Sequence, residues 1–275
     1  MHIRIDCNSD GISLHHSVTE VPNASAFERH THKMFELIYV VKGRGRYVVE
    51  GVEYPLLPDT VLLLRPYEYH YVCPEGSCPY ERYVIHFDEG IAFESESTLD
   101  FFRDDRFGAG VYFPKDSLDG AVLHVFESLD AMSRFTEDET TLLPTGKVMV
   151  RSIVTQILLL LRAACPAEPV APQKDLLFGV IGYINGHLNE NLTLDELSKR
   201  FFVSKYHLCR AFRRHTGTTF LSYLTTKRVV AAQQMIKEGV PVTEIAYRVG
   251  FRDYSSFYRA YRKQTGCAPA WERRE

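Results

Sequence analysis

The 275-residue sequence has one tryptophan, five methionines and six cysteines, and none of the cysteines (Cys7, Cys73, Cys78, Cys165, Cys209, Cys267) forms a Cys-x-x-Cys pair. That excludes the common zinc-finger and dithiol redox spacings and leaves reduced thiols as the expectation. Long apolar runs are also missing. The beginning, Met1-His-Ile-Arg-Ile-Asp-Cys-Asn8, does not read as a signal peptide. The most hydrophobic segment, 153–164, contains Thr155, Gln156 and Arg162 and reads as too short to span a bilayer, so a cytoplasmic protein is expected. A strong net charge is absent as well, the total being −3, but the charge is unevenly spread. Residues 176–275 carry 16 Lys and Arg against 8 Asp and Glu, a net of +8, which leaves −11 for residues 1–175. A basic domain therefore follows an acidic one, and the length allows each its own core.

The acidic part is rich in short alternating runs. Glu36-Leu-Ile-Tyr-Val-Val41, Arg46-Tyr-Val-Val-Glu50, Val52-Glu-Tyr54, Thr60-Val-Leu-Leu-Leu64 and Tyr80-Glu-Arg-Tyr-Val-Ile-His-Phe87 are separated by turn residues, and this pattern predicts an antiparallel sandwich or small barrel. Within it His30-Thr-His32, Glu36 and Gly43 stand in the spacing H-x-H-x3-E-x6-G, and His70 follows on a later strand. On one strand His30, His32 and Glu36 would share a face. The spacing resembles the first motif of the cupin barrels. The resemblance implies that these side chains face the barrel interior, where three imidazoles and a carboxylate bind either an organic ligand or a divalent metal. Tyr39 and Tyr47 are candidate walls of a ligand pocket, each with an apolar body and a polar tip.

After Pro114 the period lengthens to about 3.6. Leu118, Val122, Val125, Phe126, Leu129 and Met132 predict one amphipathic helix reaching about Phe135. A second helix follows Pro144, with Val150, Ile153, Val154, Ile157, Leu161 and Ala164 on one stripe. Its run Ile157-Leu-Leu-Leu-Leu161 is apolar nearly all round, so it needs cover on more than one side, and a second copy of the chain is the expected cover. The proline-rich segment from Cys165 to Gln173 then marks a spacer. The expected division is a sensing and dimerisation domain at 1–165, a linker at 166–175 and an all-helical domain at 176–275.

The basic part contains one helical pattern written twice. Thr193-Leu-Asp-Glu-Leu-Ser-Lys-Arg200 leads to Arg210-Ala-Phe-Arg-Arg-His-Thr-Gly217, and Val242-Thr-Glu-Ile-Ala-Tyr-Arg-Val-Gly-Phe251 leads to Arg259-Ala-Tyr-Arg-Lys-Gln-Thr-Gly266. Leu197 maps onto Ile245 at an offset of 48 and Phe212 onto Tyr261 at 49, which predicts two helix-turn-helix units with one extra residue in the second turn. A long helix over 220–237, with Leu221, Leu224, Val229, Ala232 and Ile236 apolar, joins them. Thr193 and Glu196 form a capping box, and Ser204 and Asp253 cap the two recognition helices. With Leu208, Ala211 and Phe212 turned inward, Lys205, Tyr206, Cys209, Arg210 and Arg213 are left for DNA. Arg252, Tyr254, Ser255, Tyr258, Arg259 and Arg262 are the second set. Arg210 is the first choice for reading a base, because its planar fork suits guanine. Lys227, Arg228, Arg214, Lys263 and Arg252 are assigned to phosphates or solvent rather than to base edges.

The block Ile245-Ala-x-x-Val-Gly-Phe251, the two R-A-[F/Y]-R-x-x-T-G endings and the long helix between the units resemble the C-terminal domain of the AraC/XylS family of bacterial transcription regulators. The resemblance implies an α+β multidomain protein: an antiparallel cupin-like barrel with two dimerisation-type helices, then an all-α DNA-binding domain. It also implies a homodimer on double-stranded DNA, governed by a small-molecule effector in the barrel, with RNA polymerase as a further partner. No cofactor is required on this reading, and a divalent metal at His30, His32, Glu36 and His70 is the variant of it. The competing class is a metal-dependent cupin enzyme with an accessory helical domain. The paired turn chemistry favours the regulator.

Overall fold

The structure is a computed structural model that describes residues 2–9, 11–23, 27–88, 90, 109–136, 141–164, 166–167, 176–237 and 239–269. The chain divides into two compact units, Met1–Pro172 and Gln173–Glu275. Most of the linker expected at 166–175 lies outside the described residues.

In the first unit, period-two alternation builds two antiparallel sheets. The strands are β1 (His2–Ser9), β2 (Ile12–Thr19), β3 (Phe35–Lys42), β4 (Gly45–Val49), β5 (Val52–Leu56), β6 (Thr60–Leu64), β7 (His70–Pro74), β8 (Tyr80–Phe87) and β9 (Val111–Phe113). One sheet has the order β1-β2-β8-β3-β6-β9, and the other has the order β5-β4-β7. The opening hairpin β1–β2 carries a strand pattern that the run of turns beginning near residue 27 does not announce. Asp59 takes a left-handed conformation (φ 60°) between β5 and β6, and its carboxylate accepts the Tyr39 hydroxyl at 3.0 Å.

Pairing register sorts the large sheet into two faces. Glu36, Ile38 and Val40 of β3 lie opposite His86, Val84 and Arg82 of β8, and those three lie opposite Ser13, His15 and Ser17 of β2. This set faces the small sheet. The alternate residues, Phe35, Leu37, Tyr39, Tyr83, Ile85, Phe87, Ile12 and Leu14, pack beneath a helical layer. That layer is α1 (Gly120–Ser128), a 3-10 segment (Leu129–Phe135) and α2 (Pro144–Ala163). The single helix expected to reach Phe135 is therefore two pieces. Asp119 caps α1, and its winding tightens at Leu129 so that Leu129 and Met132 reach the core.

Helix α2 buries Val150, Val154, Ile157, Leu158 and Leu161 in that core. At 20 residues it is longer than the apolar run suggests, and it is the one helix among the described residues long and apolar enough to cross a membrane. Its buried stripe instead covers the sheet. Val148 and Leu159 on its other side stay more than half exposed.

The second unit contains α3 (Leu176–Gly186), α4 (Leu194–Arg200), α5 (Lys205–Thr216), α6 (Phe220–Lys237), α7 (Val242–Arg248) and α8 (Tyr254–Thr265). The capping box at Thr193 and Glu196 forms, Ser204 accepts from the His207 N–H, and Asp253 accepts from the Ser256 N–H. Both recognition helices end on a left-handed glycine, Gly217 (φ 74°) and Gly266 (φ 83°). Leu221 is 69% exposed rather than inward. Thr219 sits at the start of α6 and accepts from the Ser222 N–H, a phase that turns Phe220, Tyr223 and Leu224 to the core.

Candidate effector cavity and nucleic-acid interface

Between the two sheets of the first unit lies a cavity of about 550 Å³. Its polar wall is built by His15, Ser17, Glu28, His30, Glu36, His70, Arg82 and His86, and its apolar wall by Phe27, Tyr47, Tyr71, Val72 and Val84. Tyr47 lies opposite Val72 in the small sheet, and its hydroxyl shares a 2.7 Å hydrogen bond with that of Tyr80. Tyr39 is not part of this wall. It is three residues from Glu36, hence on the other face of β3, where its ring stacks on Phe126 at 4.5 Å. The pocket role expected for Tyr39 is corrected accordingly.

His30, His32, Glu36 and His70 come together, with one ligand atom from each inside a group no wider than 4.8 Å. Strand parity is not what unites them. His32 is outside any strand, and His30 meets His70 in an isolated antiparallel bridge, with N–H to carbonyl bonds of 3.2 and 3.1 Å in the two directions. The His32 carbonyl accepts the Tyr67 N–H at 2.7 Å. Each imidazole is then oriented by its own backbone: Nδ1 of His30 donates to the Glu28 carbonyl (2.9 Å), that of His32 to Met34 (2.9 Å) and that of His70 to Glu68 (2.8 Å). This leaves Nε2 of each ring for the centre of the cluster.

Glu36 Oε2 lies 2.8 Å from His32 Nε2 and 3.0 Å from His70 Nε2, and Oε1 lies 3.7 Å from His86 Nε2. By strict angle the 3.0 Å His70 contact is an ion pair rather than a hydrogen bond, and the buried Nε2 has no other polar partner among the described residues. Burial alone would raise the Glu36 carboxyl, but the facing His32 and His70 outweigh it and hold the group well below the ordinary range. Burial pushes His86 down to about 4, against the pull of Glu36, so its imidazole is neutral at pH 7. His30 is lowered by burial and then by His70, while at His70 burial also lowers the group but the close contact and charge of Glu36 outweigh it and leave it raised.

Three wall residues escape a motif search. His15 lies on the unannounced hairpin, and His86 and Arg82 lie inside a strand that is easily read without asking which residues it faces. Register alone places them: His86 is opposite Glu36, and Val84, beside it, is opposite His15. Arg82 stacks on Tyr80 and Phe27 with its guanidinium carbon 4.3 and 5.3 Å from the ring centres, and its buried Nη1 has no hydrogen-bond partner among the described residues.

In the second unit α5 and α8 present the expected basic faces. Tyr206 is 77% exposed, and Cys209, Arg210 and Arg213 share its exposed stripe. Lys205 is exposed but ion-paired with Asp195 on α4. On α8, Tyr254, Ser255, Arg259 and Arg262 are exposed, and Tyr258 is half-buried. Arg252 is exposed and reaches the Asn191 side chain at 3.2 Å. Arg228 is corrected: it is half-buried and donates to the Leu188 and Glu190 carbonyls at 2.9 and 2.7 Å, which ties α6 to the loop after α3.

A barrel around a lined cavity, followed in the chain by two helix-turn-helix units with basic recognition helices, defines a ligand-responsive DNA-binding regulator. Residues 20–139 match the model of an AraC-like ligand binding domain, and residues 197–275 match that of a helix-turn-helix domain. The chain belongs to the AraC family of transcription regulators. It is 25% identical over 255 residues to the transcriptional activator RhaS of Escherichia coli, covering 88% of this chain and 86% of that protein. Among solved structures, ToxT from Vibrio cholerae O395 shares 10% identity over 96% of this chain and 97% of its own, with a TM-score of 0.40. The DNA-binding domain of AdpA, solved with a target DNA, shares 33% identity over 37% of this chain and 92% of its own, with a TM-score of 0.36. The homologues are transcription regulators and not enzymes, which sets the cupin-enzyme alternative aside.

Proposed function

We propose that the cavity of the first unit binds a small molecule with an apolar body and an anionic head, and that its occupancy governs how paired protomers present α5 and α8 to DNA. The observation that carries the effector class is Arg82: a buried guanidinium N–H group on the wall of a cavity, with no hydrogen-bond partner among the described residues, is stabilised by an incoming anion. Phe27, Tyr47, Tyr71, Val72 and Val84 suit the apolar body. Arg210 and Arg213, with Tyr206 and Cys209, form the first reading face, and Tyr254, Ser255, Tyr258, Arg259 and Arg262 form the second. Lys205 and Arg252 flank these faces. The exposed Val148 and Leu159 of α2, a further Met149 at its side, are the apolar stripe on which a second protomer would pack. Such a regulator works in the cytoplasm and acts on RNA polymerase once bound.

Selection of bound duplexes from a random pool gives the operator. A library of small carboxylates is then screened by thermal shift on the full chain. A hit should raise the melting temperature of the wild type and change its operator affinity, and Arg82→Gln should lose both effects while keeping operator binding. A hit that acts equally on Arg82→Gln would refute the anionic-head reading.

A further inference from the structure

We propose that Phe202 is a specificity-determining residue of the DNA interface, its ring packing on the 5-methyl group of a thymine at the edge of the major-groove segment read by α5. The inference rests on the assignment of α5 as a reading helix and extends that face to the turn before it.

Phe202 carries two unfavourable features that nothing inside the fold offsets. Its backbone is left-handed (φ 54°), a conformation that glycine adopts freely and a bulky residue adopts only under constraint. Its side chain is 96% exposed, the highest value among the large hydrophobic side chains of the described residues. A ring left in water contributes no burial to the folded chain. The turn itself does not require it. The equivalent position in the second unit is Gly250, and both turns close with the same bond, the Val203 N–H to the Ser198 carbonyl at 3.0 Å and the Phe251 N–H to the Ala246 carbonyl at 2.9 Å. Strain held by a side chain that stabilises nothing within the molecule belongs to a surface used in a complex.

What adjoins Phe202 identifies that surface. It stands two residues ahead of Ser204, the N-cap of α5, and a recognition helix enters the major groove by its N-terminal end. Tyr206, in the first turn of α5, is 77% exposed, and Cys209 and Arg210 continue its stripe. Phe202 and Tyr206 thus flank the cap and add an aromatic edge to a basic face. In the second unit the first residue of the reading helix is itself aromatic, Tyr254, 39% exposed. The first unit has Lys205 there, ion-paired with Asp195, and its aromatic ring stands on the turn instead. A phenyl ring has neither charge nor donor for a phosphate and no hydrogen bond for a base edge. The major-groove feature an apolar group does read is the thymine methyl.

The test uses the full chain and the selected operator, in a series of duplexes in which each thymine in turn is replaced by uracil, removing the methyl and keeping the base pair. With the wild type, one replacement at the edge of the first unit's segment should weaken binding about 3- to 10-fold, the worth of one buried methyl group and its contacts. Phe202→Gly should weaken binding to the all-thymine operator by a similar factor and become indifferent to that replacement. Its melting temperature should be unchanged or raised, and its affinity for random duplex unchanged. Phe202→Tyr, which keeps the ring, should behave as the wild type. Unchanged operator affinity in Phe202→Gly overturns the proposal, and lost activation with intact binding would assign the ring to a protein partner. A loss in Phe202→Gly while every uracil duplex binds the wild type as the operator does overturns the thymine contact. Arg210→Ala, measured alongside, separates this inference from its premise: if it too leaves operator binding intact, α5 is not a reading helix, and if only Phe202→Gly does, the turn alone is misassigned.

Discussion

The first and second helix-turn-helix units reach the same backbone by different side chains, and the places where they differ show which parts of the motif are set by geometry. In both, the N–H after the turn returns to the helix before it: Val203 to the Ser198 carbonyl at 3.0 Å, and Phe251 to the Ala246 carbonyl at 2.9 Å. In both, a threonine near the end of the recognition helix donates to the carbonyl four residues back at 2.9 Å, Thr216 to Phe212 and Thr265 to Tyr261. The offset is 48 up to Val203 and Phe251 and becomes 49 at the caps Ser204 and Asp253, so the extra residue is Arg252.

The turns themselves are unequal. Phe202 occupies the left-handed position of the first (φ 54°) and its side chain is 96% exposed. The same position in the second is Gly250 (φ 93°), where a β-carbon would sit 2.3 Å from the Leu188 carbonyl oxygen and 2.8 Å from Arg228 Nη2. The first turn tolerates a strained bulky residue because nothing lies over it; the second is pressed against the loop that Arg228 braces, and only glycine fits.

The largest effect that would break this comparison is at that glycine. Gly250→Ala combines the left-handed cost with a backbone clash and should destabilise the second unit by about 3 kcal/mol, whereas Phe202→Gly should leave stability unchanged or raise it by up to about 1 kcal/mol. Denaturant unfolding of both variants measures the difference, and equal destabilisation would show that the two turns are equivalent after all.

The next concerns reading. Arg210 and Arg259 are equivalent positions on faces with two arginines each, but the helix ahead of the first reading helix has a capping box and the one ahead of the second has no side-chain cap. Arg210→Ala should weaken specific operator binding by about 1–3 kcal/mol and relax base preference locally, with Arg259→Ala costing less. Binding to operator and random duplexes at two salt concentrations decides it. An equal loss on random DNA would make Arg210 a phosphate contact.

The smallest effect separates the caps. The Ser256 N–H and hydroxyl hold the Asp253 carboxyl below its ordinary value, so its cap contributes above the unfolded pKa of about 4 and is lost as pH falls through the lower folded value. Ser204 has no charge to lose. The melting-temperature gap between wild type and Asp253→Ala should therefore shrink in acid, while that between wild type and Ser204→Ala, about 1 kcal/mol of stability, should hold. A pH-independent gap at both positions would show that the charge on Asp253 contributes nothing.

The contrast between units extends to what was legible before the fold. Thr193, Glu196, Ser204, Asp253, Gly217 and Gly266 carry their meaning within a few residues, because caps and turns are local contacts, and the buried Leu197, Phe212, Ile245 and Tyr261 follow from helical period. The cavity was only half legible. The spacing of His30, His32 and Glu36 announces itself, but the backbone bridge between His30 and His70 spans 40 residues and joins a segment outside the regular strands.

From the sequence alone come two helix-turn-helix units, the acidic and basic halves, a β-rich first unit and the family, since each rests on local period, capping or charge. The tertiary structure decided that His15, Arg82 and His86 share a wall with Glu36, that Tyr39 turns away from it, and that Arg228 braces a turn. Those facts depend on register between strands and on packing between segments distant in the chain, and a one-residue shift in register would reverse every face.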